Sequence, residues 1–217
     1  MKLADLFFDR RCAICDCHIR RGAVCAECDS ELKSHIRMSK RTIYLRDKPL
    51  VVMYVFDYDV PIVKELLFTL KRRANKDLFL YAARLYEKAV PKDFEGIVVN
   101  CPRSGKGVRS YGYDQVEQPC RMMCKNSGGR LKFAKLVARK GSSKEQKNLT
   151  QEQRYQNTQN RFKIIKKDIP KNILIVDDVV TTGSTVSACA VEILKHGANS
   201  SISVCCLASR DVFTRKG

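Results

Sequence analysis

Two adjacent carboxylates, Asp177 and Asp178, close an apolar run in the stretch ILIVDDVVTTGSTVSA, Ile173 to Ala188. Thr181, Thr182, Gly183, Ser184 and Thr185 follow almost directly. Small hydroxyl residues around one glycine let successive backbone N–H groups face an anion at the start of a helix. Carboxylates repel such an anion, but they accept hydrogen bonds from a diol. A ligand that satisfies both groups carries a phosphate on one side and free hydroxyls on the other, as a ribose 5-phosphate does. Two acids and several Thr/Ser residues exceed what capping a helix requires.

A second constellation lies near the start, in CAICDCHIRRGAVCAEC, residues 12–28. Cys12-x2-Cys15 and Cys25-x2-Cys28 have the spacing of a structural zinc knuckle, and four thiolates suit tetrahedral Zn²⁺. Metal binding would supply folding energy that so polar a segment cannot draw from apolar burial. Cys17 and His18 stand close enough in sequence either to replace Cys15 or to sit beside the site. A redox CxxC would need a thioredoxin-like βαβ context, which this segment lacks. The remaining cysteines, Cys101, Cys120, Cys124, Cys189, Cys205 and Cys206, fall in or beside expected strands and helices and are assigned to the core.

The elements that must position these residues follow from periodicity. LVVMYVF is expected to be a strand, PIVKELLFTLKRR a helix with one apolar face, and KDLFLYAARLYEKAV a second amphipathic helix. GIVVN is a short buried strand, followed by the loop CPRSGKGVRSYGYDQ, a helix over about 114–125 and a turn at NSGG. FAKLVARK is expected to be a strand, and the polar stretch GSSKEQKNLTQEQRYQNTQNR to hold one exposed helix at most. ILIVDD is a buried strand, STVSACAVEILKHG a helix ended by Gly197, and SISVCCLA another buried strand. Strands separated by helices predict an α/β fold with a central, mostly parallel sheet flanked by helices, and a small N-terminal four-cysteine zinc module. The expected organisation is a zinc-binding module over 1–33, a linker over 34–50 and an α/β domain over 51–217. Ligands bind beyond the carboxyl ends of strands in such sheets, which is where the strand ending at Val176 would deliver the acidic pair.

Charge adds a third observation. The formal net charge is +18, and residues 121–167 hold 14 Lys and Arg side chains against Glu145 and Glu152. A local surplus of that size attracts polyanions in a salt-dependent way. The start of the chain has no apolar stretch long enough for a signal peptide, and no later run approaches a membrane span, so a cytoplasmic protein without membrane insertion is expected.

At Ile173–Thr185 all thirteen positions resemble the phosphoribosyl-pyrophosphate (PRPP) signature of type I phosphoribosyltransferases: four apolar residues, two acids, two apolar residues and T-T-G-S-T. The resemblance implies that Asp177 and Asp178 hold the ribose 2′- and 3′-hydroxyls, while Thr181, Thr182, Gly183, Ser184 and Thr185 hold the 5-phosphate. Such a site also needs to hold the pyrophosphate, and the loop after GIVVN offers Arg103, Ser104, Gly105, Lys106, Gly107 and Arg109, with Mg²⁺ arriving on the PRPP. Arg109 and Tyr111 are also candidates for a mobile cover over the site.

An N-terminal four-cysteine module ahead of such a domain resembles the ComF family of bacterial competence proteins, of the ComFC type. Arg109, Gly112, Tyr113, Asp114 and Gln115 stand in for that family's Arg-Gly-Phe-Asn-Gln segment, with Ser110 and Tyr111 inserted. Arg139, Gln146, Leu149, Arg154, Asn157 and Phe162 echo its later pattern, so the resemblance spans nearly the whole chain. It implies a role in natural transformation, with incoming single-stranded DNA handled in the cytoplasm. Arg121, Lys125, Arg130, Lys132, Lys135, Arg139, Lys140, Lys144 and Lys147 would track the DNA backbone, and Phe133, Tyr155 and Phe162 would offer stacking surfaces. Two other functions suit the same residues. One is a metabolic phosphoribosyltransferase acting on a nucleobase or small amine; the other is a non-catalytic adaptor docking a helicase or translocation protein through its zinc knuckle.

Overall fold

The strand that carries the acidic pair lies inside a six-stranded sheet in the computed structural model of the chain, which describes residues 10–45, 48–103, 105–140 and 161–210. The elements run in the order α1 (Ala26–Ser34), β1 (Ser39–Leu45), β2 (Lys48–Asp57), α2 (Pro61–Arg72), α3 (Lys76–Ala89), β3 (Gly96–Asn100) and α4 (Gly105–Tyr111). They continue as α5 (Glu117–Asn126), β4 (Leu131–Phe133), β5 (Val137–Arg139), β6 (Phe162–Ile164), β7 (Asn172–Val180), α6 (Ser184–His196) and β8 (Ser201–Ser209). The sheet order is β1-β2-β8-β7-β3-β4, and every pairing is parallel except β1 with β2. β5 and β6 form a separate antiparallel pair.

Local chemistry explains the helices. Pro61 opens α2 at a position where a missing N–H costs nothing, and Ile62, Val63, Leu66, Leu67 and Leu70 bury one face of it. Asn75 caps α3 by accepting from the N–H groups of Asp77 and Leu78 at 2.8 and 3.1 Å. α6 stops at Gly197. The sheet separates two cores. One packs β2, β7 and β8 against α2, α3 and α5; the other packs the opposite face against α6, β1 and the β5–β6 pair. β7 runs between the two, and so Ile173 to Val176 are all buried, as the continuous apolar run predicted.

Three expectations change. Residues 34–50, read as a linker from their polarity, carry β1 and the start of β2; an edge strand needs few apolar side chains, and of β1 only Ile43 is buried. FAKLVARK begins on the last residue of β4 and contains β5, with Ala134–Leu136 between the two strands. CPRSGKGVRSYGYDQ is not wholly loop, because Gly105–Tyr111 makes a short helix. The turn at NSGG is present, with Gly128 and Gly129 at φ 65° and 90°. The polar segment 141–160 lies outside the described residues.

The cysteine segment joins the larger core. Cys12, Ala13, Ala23, Cys25, Cys28 and Leu32 are buried in the same cluster as Phe56, Leu66 and Leu78. Leu32→Ala is therefore expected to cost about 2–5 kcal/mol and to lower a single cooperative transition. Circular dichroism of the helices and thiol reactivity of Cys12 should move together in a denaturant titration. Two separated transitions would show that the segment is not part of this core.

Candidate functional site

β3 and β7 are neighbours, but the chain leaves them in opposite directions. From β7 it crosses through α6 to β8, and from β3 it passes through α4 and α5 to β4 on the far side. The loops diverge at their carboxyl ends and open a crevice, the position where open α/β sheets bind ligands. Asp177 and Asp178 come to this edge from β7, and the 101–116 loop comes to it from β3.

The acids do not lie just past the strand, because β7 continues to Val180. Its β-branched residues Val179 and Val180 extend the pairing with Ala208 and Ser209 of β8. Within this last part of the strand the two side chains diverge. Asp178 is 7% exposed and held from two sides: Gln115 Nε2 donates to its Oδ2 at 3.0 Å, and the Lys71 ammonium lies 3.3 Å from the same oxygen. Asp177 lines a small pocket with Val179, Val180 and the whole turn from Thr181 to Val186. Burial, and then the neighbouring Asp178 charge, push the Asp177 carboxyl well above the usual carboxylate range. Each acid also accepts from the next backbone N–H: Asp177 Oδ1 from Asp178 at 2.9 Å, and Asp178 Oδ1 from Val179 at 2.8 Å. The buried Tyr86 hydroxyl donates to the Asp177 carbonyl at 3.0 Å and fixes the strand from below.

The turn's shape is set from outside. Gly183 adopts φ 80°, and a Cβ there would lie 2.7 Å from Ile43 Cδ1, so this position favours glycine on two counts. From Gly183 the chain enters α6, whose first residues Ser184, Thr185 and Val186 line the pocket. The structure thus brings Asp177, Thr181, Thr182, Gly183, Ser184 and Thr185 around one pocket and places Asp178 behind it.

The 101–116 loop is built around Asp114. Its Oδ2 accepts from the Arg103 N–H at 2.9 Å and Asn100 Nδ2 at 3.3 Å, and its Oδ1 accepts from the N–H groups of Val116 and Glu117, which begins α5. The Arg103 guanidinium donates to the carbonyls of Lys71 and Tyr113 and stacks over Tyr111. It secures the loop to α2 rather than lining the pocket. Arg109 lies on the exposed part of α4, one turn from Gly105 and away from that pocket. Ser104 and the Lys106 side chain lie outside the described residues. Lys71 and Gln115 hold Asp178 yet have no signature in spacing. Lys71 sits at the end of an ordinary amphipathic helix, and Gln115 belongs to a loop whose resemblance assigned it no role.

All eleven cysteines are free. Cys12, Cys15, Cys17 and Cys25 place their sulfurs within 4.8 Å of one another and could hold a metal ion. The donor set suits structural zinc, and the backbone is arranged for thiolates: Cys12 Sγ accepts from the N–H groups of Ile14 and Cys25, and Cys25 Sγ from that of Cys28, each at 3.4 Å. The Cys17 backbone, and then its thiol, hold Cys15 down at about 6, while Cys17 itself is pushed up to about 12. Cys28, expected as the fourth ligand, is buried beside this group and interacts with Cys12, Cys15 and Cys25, while Cys17 joins the tight set. A backbone reversal brings Cys17 in: Asp16 adopts φ 61° and the Cys12 N–H donates to the Cys17 carbonyl, which folds residue 17 back onto the site. Among the six core cysteines, only Cys124 is not fully buried.

The basic stretch is partly engaged within the protein. Arg121 and Lys135 both pair with Glu117, Arg121 stacks over Phe133, and Arg130 donates to the carbonyls of Pro91 and Phe94. Lys125, Lys132 and Lys140 are exposed. Phe162 is 0% exposed and is a core residue, so it offers no stacking surface. Lys144, Gln146, Lys147, Leu149, Arg154, Tyr155 and Asn157 lie outside the described residues. Among the described residues no helix is long and apolar enough to cross a membrane. Compared with known proteins, the chain matches no family model and no curated protein.

A carboxyl whose pKa rises on folding makes the folded state take up a proton. Its penalty is absent below the unfolded value of about 3.9 and grows as pH rises toward the folded value. Asp177→Asn should therefore stabilise the free protein at pH 7, with a gain over wild type that shrinks toward pH 4. Melting temperatures at several pH values test this, and a pH-independent difference would contradict it.

Proposed function

We propose that the chain binds PRPP at the carboxyl edge of β7 in the manner of a type I phosphoribosyltransferase, and that it serves DNA uptake as the ComF family does. The observation that carries the first part is the single pocket shared by Asp177 and the turn Thr181–Thr185 at the switch point of the sheet. A ribosyl 5-phosphate would set its phosphate against the backbone N–H groups of the turn and the start of α6. Its hydroxyls would reach Asp177, with Asp178 immediately behind. Magnesium would come with the diphosphate and neutralise its charge. Displacement of pyrophosphate at the anomeric carbon requires mainly positioning and charge neutralisation. The chain's own part in that chemistry is to orient the ribose between the carboxylates and the turn.

The DNA part rests on the basic excess of residues 121–167 and on the exposed Lys125, Lys132 and Lys140. A zinc-bound cysteine segment packed on the same core would complete a rigid platform for it.

Thermal denaturation tests the pocket. PRPP with Mg²⁺ at about a hundred times its Kd should raise the melting temperature by about 5–10 °C. The paired replacement of Asp177 and Asp178 by Asn should erase that rise while the protein stays folded; a rise of equal size in the variant would remove the acids from the site. For the DNA part, replacing Lys125, Lys132 and Lys140 by Gln should flatten the salt dependence of single-strand binding by about 0.7 in log–log slope for each lost phosphate contact. A slope identical to wild type would place the strand elsewhere.

A further inference from the structure

The turn around the pocket is gripped by a side chain from the far edge of the sheet. Arg41 lies on β1 in register with Val52 of β2, Val52 with Val204 of β8, and Val204 with Ile175 of β7. The Arg41 Nη2 donates to the Val180 carbonyl at 3.0 Å and also to the Thr181 carbonyl. Two residues further along β1, Ile43 fills the space beside Gly183. One strand thus holds both sides of the turn.

The consequence follows from the planar trans peptide, in which the C=O and the following N–H point in opposite directions. The Val180 carbonyl is held by Ser209 Oγ and the Arg210 N–H as well as by Arg41, so Arg41 adds to that hold, while its bond to the Thr181 carbonyl turns the Thr182 N–H the other way. The pocket is lined by Thr181 and Thr182 but not by Arg41, which fits that orientation. Arg41 therefore acts on the donors of the cradle without touching its contents.

A second observation points the same way. Among the described residues, two buried side-chain polar atoms have no hydrogen-bond partner, Arg41 Nε and Gln115 Oε1. Both belong to side chains whose other end holds the site: Arg41 on the turn, and Gln115 on Asp178. Unpartnered buried polar atoms oppose folding, and an apolar side chain would avoid that cost. Their retention beside the turn and beside the acidic pair fits a requirement for geometry there rather than for stability.

We propose that Arg41 is a positioning residue of the phosphate cradle, setting the Thr182 amide through the Thr181 carbonyl and reinforcing the Thr181 amide through the Val180 carbonyl; this rests on reading the turn as a phosphate site. The test uses the full chain with Arg41→Met and Arg41→Lys. Amide hydrogen exchange across 181–185 is followed by mass spectrometry, and binding of ribose 5-phosphate by calorimetry. In Arg41→Met, exchange at 181–185 should accelerate by about tenfold, with rates in α3 and β8 unchanged. Affinity for ribose 5-phosphate should fall by roughly 10- to 100-fold, and Arg41→Lys should recover part of both losses. Unchanged exchange at 181–185, or acceleration spread evenly over the sheet, would overturn the proposal. So would undiminished ribose 5-phosphate binding in Arg41→Met. If that variant does not fold, Arg41→Lys decides, since the flexible lysine stem does not hold its ammonium in the fixed plane that sets Arg41 Nη2 between the two carbonyls, and exchange at the turn should still rise. If wild type binds no ribose 5-phosphate, the reading of the pocket fails, and the exchange rates alone decide the role of Arg41.

Discussion

Placing two carboxylates at the end of a strand buried on both faces is the costliest feature of this structure. An ionised acid removed from water must be paired, hydrogen-bonded or protonated. The two acids meet this demand differently. Asp178 has Lys71 and Gln115 against one oxygen and the Val179 N–H against the other. Asp177 has the N–H of Asp178, faces the pocket and is driven toward its neutral form. Replacing the Asp177 carboxyl by a neutral group would therefore stabilise the fold.

The surrounding elements are arranged around that end of β7. Tyr86 supports it from α3, Ser209 and Arg210 bond the Val180 carbonyl from the end of β8, and Arg41 reaches it from β1. The antiparallel β1–β2 hairpin thus does more than extend the sheet. Its outer strand carries the arginine and the isoleucine that shape the turn, although neither is near the turn in sequence.

That distance explains what the sequence revealed and what it concealed. The parallel sheet, the helices around it and the meeting of Asp177 with Thr181–Thr185 were readable because each depends on residues close together along the chain, through apolar runs and small-residue turns. The contributions of Arg41, Lys71 and Gln115 were not readable. Each reaches the site from an element whose local pattern is fully explained by something else: an edge strand, an amphipathic helix and a loop. Continuity of β7 through the acids was hidden for a related reason. Charged residues look like a strand's end, and only the pairing of Val179 and Val180 with β8 shows that the strand goes on. The polarity of residues 34–50 misled in the same way, because an edge strand exposed to water has the composition of a linker.

In the cysteine segment, spacing and geometry name overlapping sets of thiols. Two CxxC pairs name four residues, but the left-handed step at Asp16 brings a fifth thiol, Cys17, into the tight group and leaves Cys28 at its buried side. A metal held there would tie the turn at Cys12–Cys17 to Cys25, the N-cap of α1, and this unit packs against α2 through Leu32 and the core beneath it. α2 is also the helix that sends Lys71 to Asp178 and whose carbonyl oxygens anchor Arg103 and Tyr113. A single helix therefore connects the cysteine cluster to the acidic pair and to the 101–116 loop. Loosening the cluster would be felt at the pocket through packing alone, with no ligand passing between the two sites.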